Sequence, residues 1–148
     1  MLVACASPPA AEQVVRIGHA APMSGPIGHL GRDHEMGAKL AIEELNAQRL
    51  VIGGRVLRFE LLSKDDAADP RRAADVAQAL IEAKVSAVVG HLNSGTSIPA
   101  SYLYSGAGIA QITPSATNPR LTRLGHKTVF RLVTDDVQLG ARLASYIR

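Results

Sequence analysis

The feature that most constrains this chain is the regular alternation of short apolar segments with segments of helical periodicity. Apolar and β-branched residues predict strands over 14–20, 55–63, 85–91, 108–114 and 128–133. Between them apolar residues recur every three or four positions, which predicts helices over 33–48, 69–83 and 96–105 and a last one from Val137. This spacing predicts an α/β fold, a parallel sheet flanked by helices on both faces. The nearly all-apolar segment 85–91 is typical of a strand covered on both faces.

Composition limits the classes of function. With 148 residues, 47% of them hydrophobic, the chain is long enough for one domain with its own core. Its 16 Lys and Arg residues are scattered along the sequence and are nearly balanced by 13 Asp and Glu residues. Aromatic residues make up 3% of the chain. A nucleic-acid surface usually combines clustered basic residues with stacking aromatics, so we expect no nucleic-acid partner. No apolar run approaches the length of roughly 18 residues that a membrane-spanning helix needs.

The two ends of the chain carry separate signals. Residues 1–13 contain two adjacent prolines and no periodicity, which predicts a flexible lead-in before one domain over 14–148. Its "LVAC" is similar to the lipobox of bacterial lipoprotein signals, whose cysteine, here Cys5, is lipidated after cleavage. A complete signal needs a longer apolar segment before that cysteine, so lipid anchoring is a hypothesis for a longer parent chain. The sequence also stops inside its last predicted helix without a capping signal, and we expect a fragment.

Glycines at 25, 28 and 31 lie between the first predicted strand and the first predicted helix. Strand, glycine loop and helix is an arrangement with which many proteins hold a nucleotide phosphate. The spacing G-x-x-G-x-x-G differs from the dinucleotide fingerprint, and no lysine precedes Lys39 to complete a P-loop. Three interpretations stay open: a nucleotide loop, glycines that only turn the chain, or a ligand loop at the carboxyl edge of the sheet.

Two further loops are predicted at that edge, "GHLNSGTSIPAS" over 90–101 and "TPSATNPRLT" over 113–122. Both are rich in hydroxyl and small residues, and the segment from Ser94 to Ser97 opens a predicted helix whose free amides favour an anion. Because residues 90–101 contain no lysine or arginine, such donors suit a small carboxylate better than a polyphosphate. Each hydroxyl alone is explained as well by a helix cap or a turn. Three such loops at one edge favour binding.

Catalytic and metal-binding patterns are weak. No G-x-S-x-G nucleophile motif occurs. His29 and His34 are five positions apart and lie partly in a loop, so they are only a weak metal pair. Asp65 and Asp66 follow a predicted strand, and we interpret them as a solvated turn leading to the helix cap Asp69 rather than as catalytic carboxylates.

Four segments together carry a resemblance to a known family: "APMSGPIGHLGRDHEMGAKLAIEELNA", "DDAADPRRAADVAQALI", "VVGHLNSGTSIPAS" and "ITPSATNPRLTRLG". In this order they resemble the amino-terminal lobe of leucine/isoleucine/valine-binding proteins, the extracytoplasmic solute-binding subunits of ABC transporters. The resemblance implies one lobe of a type I periplasmic binding fold, with the second lobe absent. It also implies an amino acid ligand, ABC permease partners, no cofactor, no enzymatic activity, and a periplasmic or lipid-anchored location.

The resemblance further implies roles for individual residues. The α-carboxylate of the ligand is expected at Ser94 and Thr117, and its α-ammonium at the backbone oxygen near Ser115 and the Thr117 hydroxyl. Ala116 belongs to the same ligand-binding segment, and Leu30 and Leu92 match positions beside the ligand's side chain.

Three departures from the family pattern limit these expectations. Relatives carry a disulfide between the positions of Ala68 and Asn93, neither of which is cysteine here. Position 30 is often aromatic and is leucine here, which leaves the preferred ligand side chain open. The acidic partner for the ammonium lies in the missing lobe.

Two other functions stay open from sequence. One is a nucleotide-dependent α/β enzyme fragment that uses the glycine loop, and the other is a cytoplasmic amide or amino acid sensor domain. The proline-rich segment after "LVAC" favours export over the sensor.

Overall fold

A computed structural model of the chain describes residues 11–147. Cys5 and most of the predicted lead-in lie outside these residues. The strands are β1 (Glu12–Ala21), β2 (Val51–Ile52), β3 (Arg55–Asp65), β4 (Ala87–Gly90), β5 (Ala110–Thr113) and β6 (Val129–Arg131). The helices are α1 (Gly28–Ala47), α2 (Pro70–Glu82), α3 (Ser94–Gly106), α4 (Arg120–Arg123) and α5 (Asp136–Tyr146). All five predicted strands and all four predicted helices are present.

The strands form one six-stranded sheet in the order β2-β3-β1-β4-β5-β6. Five strands are parallel, and β2 pairs antiparallel with β3. The predicted parallel sheet flanked by helices is therefore confirmed, and one short antiparallel strand is added at its edge. A turn through Gly53 and Gly54, both with positive φ, joins β2 to β3. A strand of two residues is too short to produce a periodic signal in the sequence.

Helices α2 and α3 cover one face of the sheet. Helix α2 begins where its sequence predicts, because the Asp69 carboxylate accepts hydrogen bonds from the backbone amides of Arg71 and Arg72 and Pro70 occupies the first turn. The apolar sides of α2 and α3 pack against the strands in the main core, which is formed by Ala20, Val76, Ala77, Leu80, Val85, Val88, Ala100 and Tyr104. This face of the sheet is closed to solvent.

Helix α1 covers the opposite face only in part. Beside it the sheet leaves an open apolar groove of about 220 Å³, lined by Ile17, Ala38, Ala41, Ile42, Leu45, Leu61, Ala87, Val89 and Ile112. In β4, Val88 is fully buried while Ala87 and Val89 on the groove side are half-buried. The prediction that this strand is covered on both faces is therefore wrong in the described part of the chain.

Helix α5 lies at the surface. The Asp135 carboxylate caps it by accepting from the Gln138 amide. None of its residues is buried, and its apolar stripe of Val137, Leu139 and Leu143 is about half exposed. Between residues 11 and 147, no helix has the length and apolar character needed to cross a bilayer.

Candidate functional site

Two of the three glycines between β1 and the middle of α1 allow backbone segments to pack closely. Helix α1 begins at Gly28, so only Gly25 lies in the loop, and the prediction of one loop with three glycines is wrong. A Cβ on Gly31 would lie 1.9 Å from the Pro22 carbonyl oxygen, and one on Gly28 would lie 2.8 Å from that of Met23. Only glycine permits this approach. At the helix start the Gly28 amide already donates to the Gly25 carbonyl and the Leu30 amide to the Ile27 carbonyl, which argues against a nucleotide loop.

Asp65 fixes the loop between β1 and α1. Its carboxylate accepts hydrogen bonds from the Ser24 hydroxyl at 2.6 Å, the Met23 amide at 2.8 Å and the Ala67 amide at 2.8 Å. Partial burial works to raise the pKa of Asp65, but these hydrogen bonds, led by that of Ser24, outweigh it and lower the pKa to about 2. Asp65 is therefore only partly solvated, and its carboxylate serves to hold the neighbouring loop.

Asp66 is fully buried and joins a chain of three side chains. Its carboxylate lies 2.6 Å from His91 Nδ1, and His91 Nε2 lies 3.2 Å from the Tyr104 hydroxyl. All three residues are 0% exposed, so the solvated-turn interpretation is wrong for Asp66. Burial, with the Asp66 carboxylate as the second cause, raises the pKa of Tyr104 above its ordinary value. The Tyr104 hydroxyl stays protonated and can donate to the imidazole.

The backbone carbonyl of His91 joins the two loops that follow β4 and β5. It accepts hydrogen bonds from the Ser97 hydroxyl and the Thr113 hydroxyl, both at 2.9 Å. The same Thr113 oxygen accepts from the Ala116 amide at 3.0 Å. The conformation of the second loop is thus tied to the first through one carbonyl group.

Two further hydrogen bonds join these loops nearer the surface. The Ser115 hydroxyl donates to the Leu92 carbonyl at 2.7 Å, and the Asn118 amide donates to the Ser94 hydroxyl oxygen at 3.1 Å. Ala116 is buried, Leu92, Ser94 and Thr117 are half-buried, and Ser115 is exposed. The structure therefore brings together five of the predicted ligand residues: Leu92, Ser94, Ser115, Ala116 and Thr117.

Leu30, the sixth, lies in the first turn of α1 at the same sheet edge and is 45% exposed.

The start of α3 leaves hydrogen-bond donors free. The amides of Thr96 and Ser97 both donate to the carbonyl of the N-cap residue Asn93, whose side chain makes no capping hydrogen bond. Within residues 11–147 the amides of Ser94 and Gly95 have no protein acceptor. Two amides and the Ser94 hydroxyl at a helix start favour an anion.

Sequence reasoning missed the roles of Asp66, His91, Thr113 and Tyr104. The one available signal was a histidine placed directly after an apolar strand. His34, considered with His29 as a weak metal pair, instead lies with its Nδ1 3.0 Å from Nε2 of the buried His19. Burial, followed by the neighbouring His34, lowers the pKa of His19 to about 4. Among the residues that the structure describes, no cluster of three or more metal-ligating side chains occurs.

Comparison with known proteins identifies the class. The family model for periplasmic binding proteins matches residues 14–148, and the chain belongs to this family. A Pseudomonas aeruginosa amino acid binding protein is 40% identical over 90% of this chain and 35% of its own length. The leucine-, isoleucine-, valine-, threonine- and alanine-binding protein of the same organism is 36% identical over 93% of this chain and 36% of its own length.

Solved structures agree with the sequence comparison. The ABC transporter substrate-binding protein from Desulfitobacterium hafniense in complex with Leu superimposes with a TM-score of 0.77 and 33% identity, over 91% of this chain and 38% of that one. The fold is therefore that of one lobe of a type I periplasmic binding protein. The chain spans about a third of the length of these relatives.

Proposed function

We propose that this chain is the amino-terminal lobe of an extracytoplasmic solute-binding subunit of an ABC transporter. Its ligand is a branched-chain or similar amino acid, held by its α-carboxylate at Ser94 and Thr117 and by its α-ammonium near Ser115 and the Thr117 hydroxyl. Ala116 belongs to the same segment, and Leu30 and Leu92 adjoin the ligand side chain. The free amides and hydroxyls at the start of α3, beside the loop from 114 to 119, carry the proposal.

The charge of the site supports a carboxylate rather than a phosphate ester. The donors at α3 are two neutral amides and hydroxyl groups, and no Lys or Arg occurs in the loops 91–93 and 114–118. Arg131, whose guanidinium reaches the second loop, is engaged by the Asn118 carbonyl and the Asp135 carboxylate. These donors match one negative charge spread over two oxygens. The relatives named above, two of which bind amino acids according to their names, support the same ligand class.

The rest of the proposal concerns the complete protein. A second lobe closes over the ligand, supplies the acidic partner of its ammonium, and presents it to an ABC permease without any chemical step. The location is periplasmic, with lipid anchoring through Cys5 as a further hypothesis. Because one lobe contacts only one side of the ligand, we expect this chain alone to bind at millimolar strength, against about micromolar for a closed pair of lobes.

Titration of the ¹⁵N-labelled chain with L-leucine, followed by amide chemical shifts, tests the proposal at this affinity. We expect shifts at Ser94, Gly95, Ala116 and Thr117. L-Leucinamide is the matched control, because it keeps the side chain and the ammonium but lacks the carboxylate, and it should leave the amides of Ser94 and Gly95 unchanged. Shifts of the amides over 25–31 with ATP or NAD, and none with amino acids, would overturn the proposal in favour of a nucleotide site.

A further inference from the structure

The buried chain Asp66–His91–Tyr104 lies directly beneath the proposed site and touches none of its exposed donors. Asp66 follows β3, His91 follows β4, and Tyr104 belongs to α3, so the three side chains connect three elements. Every polar atom of these three side chains has a hydrogen-bond partner, because the second carboxylate oxygen of Asp66 accepts from the Ala68 amide at 2.9 Å. A fully satisfied buried network of this kind holds its members in one arrangement.

Gly90, the residue before His91, shows why the hydrogen bonds of the His91 side chain matter. Gly90 has φ +130, and a Cβ there would lie 2.2 Å from the Ala20 carbonyl oxygen, so glycine is required at this close contact with β1. Glycine itself restrains the backbone little. Beyond this contact His91 is held through its side chain, because its imidazole is hydrogen-bonded at both ring nitrogens.

The His91 carbonyl connects this residue to the surface loops. It accepts hydrogen bonds from the Ser97 hydroxyl in α3 and from the Thr113 hydroxyl in β5. The Thr113 hydroxyl oxygen in turn accepts a hydrogen bond from the Ala116 amide. A rotation of the His91 peptide would break both hydroxyl contacts together. The segment with Ser115, Ala116 and Thr117 would then lose its register against the start of α3.

We propose that Asp66 and Tyr104, acting through His91, are positioning residues that keep the two hydroxyl-bearing loops in the arrangement that receives the ligand's carboxylate. The ligand half of this inference rests on the function proposed above. The loop half concerns the unliganded chain and can be measured independently.

The test uses the ¹⁵N-labelled chain and two readouts, the amide shifts of Ala116 and Asn118 without ligand and the leucine affinity by titration. His91→Leu removes both ring contacts, so we expect both loop amides to shift and leucine binding to weaken about five- to thirtyfold, as for one buried hydrogen bond. His91→Asn keeps a donor toward Asp66 and should recover part of both effects. Tyr104→Phe removes a single hydroxyl and should give a smaller change in the same direction.

Asn46→Ala is the matched control. The Asn46 side chain also makes two hydrogen bonds to backbone, with the Phe59 amide at 2.8 Å and the Phe59 carbonyl at 3.0 Å, but nearer the amino end of β3. It should lower the melting temperature and leave both the loop amides and the leucine affinity unchanged. A merely structural role for His91 predicts the same pattern for its variants.

The inference is overturned if folded His91→Leu and Tyr104→Phe keep the wild-type loop shifts and leucine affinity. If His91→Leu does not fold, Tyr104→Phe and His91→Asn decide by the same readouts. A wild-type chain that responds to no amino acid refutes the proposed function, while the loop shifts of the variants still decide whether His91 positions the loops.

Discussion

The backbone amide of Asn118 donates a hydrogen bond of 3.1 Å to the hydroxyl oxygen of Ser94, across 24 positions of sequence. Because this contact occupies a lone pair of the oxygen, the hydroxyl proton of Ser94 is left to donate elsewhere. A serine held in this way can present its proton to a ligand at the start of α3 at little further cost in side-chain entropy.

The first prediction concerns this hydroxyl. Ser94→Ala or Thr117→Val should weaken amino acid binding about ten- to a hundredfold, roughly 1.5–3 kcal/mol, because each removes a hydrogen bond to a charged group. Calorimetry on a parent protein with both lobes, or amide titration of this chain, measures the loss. Arg71→Ala, on the exposed side of α2, is the control and should change little. Unchanged affinity in both site variants would refute the assignment of the carboxylate.

The second prediction compares two glycines of α1. Gly31→Ala forces a methyl group onto the Pro22 carbonyl and should lower the free energy of unfolding by about 1–3 kcal/mol. A Cβ on Gly37 would meet no other atom within 4 Å. Gly37→Ala should therefore raise the free energy of unfolding by about 0.5–1 kcal/mol, because alanine has the higher helix propensity. Urea unfolding of both variants measures the difference. Equal effects would show that the close approach of α1 to the loop is absent in solution.

The third prediction concerns acid stability below pH 4. The folded pKa of Asp65, about 2, lies below its ordinary 3.8, so its contribution is complete above about pH 4 and is lost as the pH falls through about 2. Asp65→Asn should therefore lose about 1–2 kcal/mol of unfolding free energy at neutral pH and show a flatter profile between pH 4 and 2. The exposed Asp75→Asn serves as the control. Identical acid profiles for wild type and Asp65→Asn would contradict the prediction.

The fourth prediction concerns a separate window between pH 6.5 and 4. Because the folded pKa of His19 is about 4, against an ordinary 6.5, the unfolded chain takes up its proton first as the pH falls. The unfolding free energy should decline across this window by up to about 1.4 kcal/mol per pH unit. Burial also lowers the pKa of His34, which acts in the same direction.

Its test compares slopes rather than absolute stabilities. Urea unfolding at several pH values should give a flatter profile for His19→Leu than for wild type. His34, Glu35, His91 and Lys39 influence His19 and are unchanged in this variant. The exposed His29→Gln should keep the wild-type slope. Parallel profiles for His19→Leu and wild type would exclude His19 as the source.

The fifth prediction concerns self-association. The open groove beside α1 and the exposed stripe of α5 leave apolar surface uncovered, and contiguous surface of this kind promotes association. Light scattering of the isolated chain should show oligomers. Phe130, which is 50% exposed and pairs with Ile112 at the sheet edge, offers a direct test. Phe130→Lys should shift the population toward monomer, and a wild-type chain that stays monomeric at high concentration would contradict the prediction.

The sequence predicted the succession of elements well because each has a local cause. Helix α2 has its cap Asp69, its Pro70 and one apolar face, and these signals need no tertiary information. The edge strand β2 was missed because two residues carry no period. The burial of β4 was overestimated because an apolar run alone does not reveal whether a second layer is present.

The loops of the candidate site were predicted from their composition, but the buried side chains that hold these loops were not. Hydroxyls such as Ser94 and Thr117 lie in loops whose composition is informative by itself. The buried partners were missed because Asp66 and His91 are 25 positions apart and meet only through the crossover between neighbouring elements. Paired aspartates beside a helix cap look solvated in the sequence, and only the contacts of Asp65 with the loop after β1 and of Asp66 with His91 show otherwise.

The position of Leu30 has a consequence for how binding preference can change. Four loops at the sheet edge are tied to one another by Asp65, Asp66 and the His91 carbonyl, so substitutions there alter several contacts together. Leu30 lies in the first turn of α1, outside these hydrogen bonds, and nearly half of its surface is exposed. On the function proposed above, substitutions at this single codon, by selection or in a saturation library, would change which solute is preferred without altering the loops that bind the ligand's carboxylate and ammonium.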